Sequence, residues 1–305
     1  MTVSAFWVAT RAGRVRPALS RFAAAIGALA LATAAPALAQ TADAPAPYAP
    51  SMCQAVAMSL PGARFASVMP RPRDAGPRAT TVASGEARDR TVRITFVGHA
   101  TFRIETPAGV VIVTDYAGMA GFGPVPTVAT MNHAHGTHFT SSPDPRIEHV
   151  LRGWNPEGGR ADHHLLVGDV LIRNVTTDIR RWEGAFEADG NSIFIFEVAD
   201  LCIGHLGHLH QILEDDHIAL IGRLDVVMVP VDGTYTMSQE AVVDVVERLR
   251  ARIILPMHAF STWRLNQFLS EIRAEFPIDI RSEPTLSVSL ATLPREPTVV
   301  VLPGL

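Results

Sequence analysis

TVRITFVGHATFRIETPAGVVIVTDY, residues 91–116, holds three short runs of alternating apolar and polar residues, with Pro107-Ala108-Gly109 as punctuation between the second and third. Successive side chains of an extended strand point to opposite faces, so this pattern predicts an antiparallel meander. Downstream, VLIRNVTT (170–177), NSIFIFEVADLCIGHLG (191–207) and DVVMVPV (225–231) are again short and strand-like. Helical periodicity appears in SQEAVVDVVERLRAR (238–252), which places Val242, Val243, Val246 and Leu249 on one face, with Ser238 as N-cap. The strand RIILPM (252–257) follows, then a helix over Ser261–Phe276. Strands first, then alternating helix and strand, predict sheets with helices packed outside.

The 305 residues carry 48% hydrophobic and 18% charged residues, enough for a sizeable core. Formal net charge is -4, from 26 basic and 30 acidic residues, which argues against a nucleic-acid footprint. All 26 basic residues are arginine, so Schiff-base chemistry and a phosphate-binding P-loop lysine are excluded. Two cysteines, Cys53 and Cys202, cannot build a four-cysteine zinc site.

Residues 1–21 carry Arg11, Arg14, Arg16 and Arg21 and no acid, and FAAAIGALALATAAPALA (22–39) ends in the small-residue pattern Ala37-Leu38-Ala39. That is the layout of a secretory signal peptide, cleaved after Ala39, and it predicts a periplasmic or secreted protein with no stable membrane span once cleaved. Residues 40–90 are rich in Ala and Pro and read as a linker, with a short helix around Cys53–Leu60. Residues 91–305 are the folded domain. In an oxidising compartment Cys53 can pair with Cys202 and tether the preceding segment; the simpler alternative for Cys202 is an apolar strand residue.

Histidine carries the chemistry. After the strand-like Val128–Met131 comes Asn132-His133-Ala134-His135-Gly136-Thr137-His138, three histidines at offsets 0, 2 and 5. On an extended segment H-x-H points both imidazoles one way, and a turn through Gly136 brings His138 to the same point. Imidazole is the commonest nitrogen ligand for zinc-like metals. A second cluster, His205-Leu206-Gly207-His208-Leu209-His210, follows a strand, and His258 ends another. His99 ends the first strand and can line the same cavity. Asp115, directly after a strand, and Asp178 are candidate bases, and Tyr235 a candidate oxyanion donor; for Asp115 and Tyr235 a purely structural role is equally open.

The strings FVGHATFRIET, H-x-H-x-x-H, HLGH, DVVMVPVDGTYTMSQEA and RIILPMHAF, in that order, resemble the metallo-β-lactamase superfamily, in the branch of metal-dependent hydrolases that resembles ascorbate-6-phosphate lactonase. The resemblance covers roughly residues 92–303 and implies an α/β fold: a four-layered αβ/βα sandwich of two mixed sheets, helices outside, metals at one edge. It implies ligands from H-x-H-x-D-H, a further histidine, a bridging aspartate and a last histidine. This chain departs from that set. Thr137 stands in place of the motif aspartate, Gly207-His208 in place of Gly-Asp, and Asp178 is the candidate where the middle histidine is expected. Losing two carboxylates favours one metal over two, zinc or another divalent transition metal, held by His133, His135 and His208 with Asp178, and completed or flanked by His138 and His258. The leading expectation is a hydrolase using metal-activated water on a small-molecule ester, lactone, amide or phosphodiester. A catalytically degenerate metal- or ligand-binding relative and an iron or copper redox centre are the alternatives.

Overall fold

A computed structural model describes residues 49–59, 90–181 and 184–304, all within the unit Pro47–Leu305. The signal-peptide reading of residues 1–39 and most of the 40–90 linker lie outside the described residues. Helix α1 (Met52–Ser59) precedes the sheets. The first sheet contains β1 (Val92–Gly98), β2 (Thr101–Glu105), β3 (Val111–Val113), β4 (Val128–Met131), β5 (His149–Arg152) and the late strand β13 (Thr285–Val288), in the order β13-β1-β2-β3-β4-β5. The expected meander is β1-β2-β3, paired antiparallel, and β3-β4-β5 continues it in parallel.

The second sheet contains β6 (His164–Val167), β7 (Val170–Arg180), β8 (Phe186–Val198), β9 (Leu201–His205), β10 (Val226–Pro230), β11 (Ile253–Met257), β12 (Ile278–Ile280) and β14 (Thr298–Val301). Their order is β12-β14-β11-β10-β9-β8-β7-β6. Strands β6 to β9 pair antiparallel and β9 to β12 through β14 pair parallel, so this sheet too is mixed.

The two-residue period of a strand explains how the second sheet is buried twice. Phe194 and Phe196 of β8, Val226 and Met228 of β10, and Ile253 and Leu255 of β11 face the first sheet, against Ile94, Phe102 and Ile104. Ile193, Ile195, Val227, Val229 and Ile254 face the other way, against the helices. Strands covered on both faces read as unbroken apolar runs, which is why 225–231 lacks alternation.

Helices α2 (Asp215–Ile221), α3 (Gln239–Leu249) and α4 (Thr262–Ile272) lie on that outer face. The Ser238 side chain caps α3 by accepting from Ala241 N–H, as expected. The buried face of α3 is Val242, Val245, Val246 and Leu249; Val245 replaces Val243, which is only partly buried. Ser261 caps α4, which ends at Ile272 rather than Phe276. On the first sheet, the outer face is covered by loop residues such as Tyr116 and Ile147. Among the described residues no helix is long and apolar enough to cross a membrane.

The segment expected as a linker contains a docked piece. Cys53 is disulfide-bonded to Cys202 of β9 across a sequence separation of 149. Glu197 of β8 accepts from the Ser51 hydroxyl at 2.5 Å and from Met52 N–H at 2.7 Å, and is paired with Arg173 at 2.7 Å.

Candidate metal centre

Six strand ends meet at one edge of the sandwich. His99 follows β1, Asp115 follows β3 and Asn132–His138 follow β4 in the first sheet; His205 ends β9, Asp232 lies just past β10 and His258 directly follows β11 in the second. In an open α/β sheet the crevice beyond the carboxyl ends of strands is where ligands bind. A backbone bond from His258 N–H to His99 C=O, 2.7 Å, joins the sheets here. Three of these residues, His99, Asp115 and His258, have positive φ (56°, 43° and 59°), a conformation that non-glycine residues adopt at a cost of roughly 1–2 kcal/mol each.

The imidazoles of His99, His135, His138 and His258 each offer a nitrogen within 4.8 Å of the others. His208 joins them: its Nε2 lies 3.1 Å from His135 Nε2, as His138 Nε2 lies 3.1 Å from His258 Nε2. In three of these rings the second nitrogen is hydrogen-bonded, and in His258 it lies beside a carboxylate without a hydrogen bond. His138 Nδ1 faces Asp115 Oδ2 at 2.6 Å, and His258 Nδ1 faces Asp232 Oδ1 at 3.4 Å. His135 Nδ1 faces the Thr137 hydroxyl at 2.8 Å, and His208 Nδ1 faces His210 Nε2 at 2.5 Å. An ionised carboxylate only accepts, so each Nδ1 beside an aspartate carries the proton and leaves Nε2 as a lone pair. In the tautomer in which Thr137 and His210 accept in the same way and the His258 proton faces Asp232, two pairs of Nε2 lone pairs face each other at 3.1 Å. A shared cation resolves that opposition: four nitrogens about 2.05 Å from one zinc-like ion are about 3.3 Å apart in a tetrahedron. The donor set fits a divalent transition metal.

Ligation requires neutral rings, and the surroundings of His99, His135, His138 and His208 disfavour their protonation. Burial, then the neighbouring His258, pushes His99 down to about 3. Burial likewise lowers His135, and lowers His138 and His208 well below the ordinary histidine range, with the other imidazoles adding to it. His210 is pushed down to about 4 by burial and by Arg180. Burial opposes ionisation of Asp232, but the His258 imidazole and Thr236 outweigh it and hold its carboxyl at about 2. Asp115, fully buried, is raised by burial against the pull of His205 and Asn132.

Several expected residues lie elsewhere. His133 stacks on Trp154 with ring centroids 4.8 Å apart, and its Nδ1 meets Glu187 at 2.7 Å and Arg181 at 3.0 Å. Residues 133–138 form bends and turns instead of an extended run, so the two-residue period that aligned His133 with His135 does not apply. Asp178 sits within β7 and accepts from Asp189 N–H at 3.0 Å, at the strand pairing and not in the cluster. Asp115 has both oxygens engaged, by Asn132 Nδ2 at 2.8 Å and by His138, which makes it a brace for His138 in place of the expected base. Tyr235 stands at the rim, packed on Phe260. His205 is structural: its Nε2 donates to Ala100 C=O at 2.8 Å, and its Nδ1 accepts from Gly207 N–H at 3.1 Å.

Asp232 was not singled out by sequence, and His210 only as a member of the second histidine cluster. Asp-Gly reads as an ordinary turn, whereas here the buried Asp232 carboxylate accepts from the N–H groups of Thr234, Tyr235 and Thr236 as well as facing His258. The alternation His208-Leu209-His210 was the available signal for His210.

Residues 93–258, more than half of the chain, match the family described as beta-lactamase superfamily domain. A UPF0173 metal-dependent hydrolase of Pyrococcus horikoshii is 24% identical over 194 residues, covering 56% of this chain and 86% of the relative. Another, of Methanosphaerula palustris, is 25% identical over 187 residues, covering 56% and 85%. A Thermotoga maritima structure, described as a candidate Zn-dependent hydrolase of the metallo-β-lactamase superfamily, superposes with a TM-score of 0.52 at 28% identity, covering 69% of this chain and 98% of that one. With the two mixed sheets and the histidines gathered at their shared edge, these matches establish that the chain belongs to the metallo-β-lactamase superfamily.

Proposed function

We propose that the protein is a metal-dependent hydrolase, exported to the periplasm or secreted, that uses one zinc-like ion and water on an ester, lactone, amide or phosphodiester. One observation carries this reading: four imidazoles, three of them with hydrogen-bonded outer nitrogens, bring their Nε2 atoms together in two pairs at the sheet edge. His135, His138, His208 and His258 would hold the ion, which when bound supplies Lewis acidity and a nucleophile at neutral pH. The protein's own groups do the rest. Asp115, Asp232, Thr137 and His210 keep the outer protons in place and so fix which nitrogen of each ring is basic. Tyr235 is the hydroxyl we assign to stabilising an oxyanion.

Export is supported by the composition of residues 1–39 and is compatible with the Cys53–Cys202 disulfide. Intact mass of the protein from a periplasmic extract tests it: a chain beginning near Gln40 is expected, and one retaining residues 1–39 would contradict it.

A second reading has its own observation. Four nitrogens fill a tetrahedral shell, and structural zinc sites are closed whereas catalytic ones keep a position open. A metal-binding relative without turnover follows from that count. Elemental analysis of protein purified without added metal, followed by assays with phenyl acetate, a γ-lactone and bis(4-nitrophenyl) phosphate, separates the two. Turnover abolished by a chelator and restored by zinc supports the hydrolase; retained metal with no turnover supports the second reading.

A further inference from the structure

Phe260 lies two residues beyond His258 with φ of 60°, a left-handed backbone that bulky residues rarely adopt. It gains little burial in exchange, being 55% exposed. Its ring centroid is 4.5 Å from that of His258 and 5.2 Å from that of His99. Tyr235, 52% exposed, packs on Phe260 at 5.2 Å with the rings inclined by 56°. The loop carrying Tyr235 is held from both sides. Asp232 takes its N–H groups, while Arg180 donates to the carbonyls of Thr234 and Thr236, each at 2.9 Å. Two aromatic rings therefore stand in fixed positions, half in water, against two imidazoles of the metal centre. Core packing does not account for a strained aromatic residue left half exposed; strain retained at a site's mouth points to a ligand.

Arg181 is paired with Glu187, while Arg180 donates to the loop carbonyls and keeps its positive charge. Inclined rings favour another planar ring, set edge-to-face or offset, over a flexible polar group.

We infer that Phe260 and Tyr235 form a docking wall for an aryl group, so that the substrates are aryl esters or aryl amides. This inference rests on the hydrolase reading for its substrate class, but the wall can be tested by binding alone. Acetanilide and N-methylacetamide share one amide head and differ in the ring. Calorimetric titration of the metal-loaded protein is expected to show acetanilide bound about tenfold more tightly. That preference should vanish in Phe260→Gly and in Tyr235→Ala, and persist in Tyr235→Phe and in Ile280→Ala, an exposed apolar position on β12 used as a control. Phe260→Gly also suits the left-handed backbone, so its Tm should hold or rise, which excludes misfolding as the cause. Metal content should be unchanged in all four variants. Equal affinities in the unmodified protein, or a preference that survives Phe260→Gly, would overturn the wall. An aryl preference without turnover of phenyl acetate would support the wall and contradict the hydrolase reading; turnover of phenyl acetate without an aryl preference would do the reverse.

Discussion

At the residue scale, the site depends on pairs: an imidazole whose Nε2 faces inward and a neighbour that holds its Nδ1. His258 and Asp232 are the pair that sequence reading did not connect, because a buried turn aspartate cannot be told from a solvated one by its neighbours in the chain. If Asp232 orients His258, Asp232→Asn should weaken metal affinity about 10–100-fold, measured by competition with a chromophoric chelator. Affinity equal to the unmodified protein would show that His258 needs no brace. The H-x-H-x-x-H spacing did locate the centre, and His135, His138, His208 and His258 were all legible as candidates. What misled was local backbone geometry: the chain bends from residue 133, ahead of the turn at 136–138, and His133 meets Trp154 and Glu187.

At the scale of elements, long strands and capped helices were legible because periodicity and a capping serine declare them. Short strands such as β5, β12 and β14 and the seven-residue α2 span too few residues to show a period, and were not read. The loop between β9 and α2 shows how one glycine sets a site. Gly207 has φ of 62°, and a Cβ there would lie 2.3 Å from Asn191 Oδ1 and 2.4 Å from Asn132 Nδ2, the amides behind His208 and Asp115. Gly207→Ala should therefore lower both Tm and metal occupancy, measured by calorimetry and elemental analysis; unchanged occupancy would show that the asparagines can give way.

Helix α1 is tied by two devices of different sensitivity. Replacing both Cys53 and Cys202 by serine should lower Tm by about 5–10 °C, since closing a long loop typically contributes about 2–4 kcal/mol. Glu197 supplies the second tie. Burial would raise its carboxyl, but Arg173, Ser51 and the Cys53 N–H outweigh it and hold it below the usual 4.5. A depressed carboxyl stabilises fully above its unfolded value and loses that contribution as pH falls through its folded value. Denaturant unfolding between about pH 3 and pH 7 should show an acid limb that flattens in Glu197→Gln. An unaltered limb would contradict the assignment.

At the scale of the molecule, two mixed sheets bury a common core and leave one edge where both contribute strand ends, so the centre exists only when the sandwich is closed. An ion bound there binds the folded chain alone and must stabilise it: removal by chelation should lower Tm, and readdition should restore it. The central claim is narrower: His135, His138, His208 and His258 form one centre from which His133 is absent. Elemental analysis of the unmodified protein beside His133→Ala and His208→Ala tests it most directly. One ion per chain in the unmodified protein and in His133→Ala, with loss in His208→Ala, is the predicted result; loss in His133→Ala with retention in His208→Ala would contradict it.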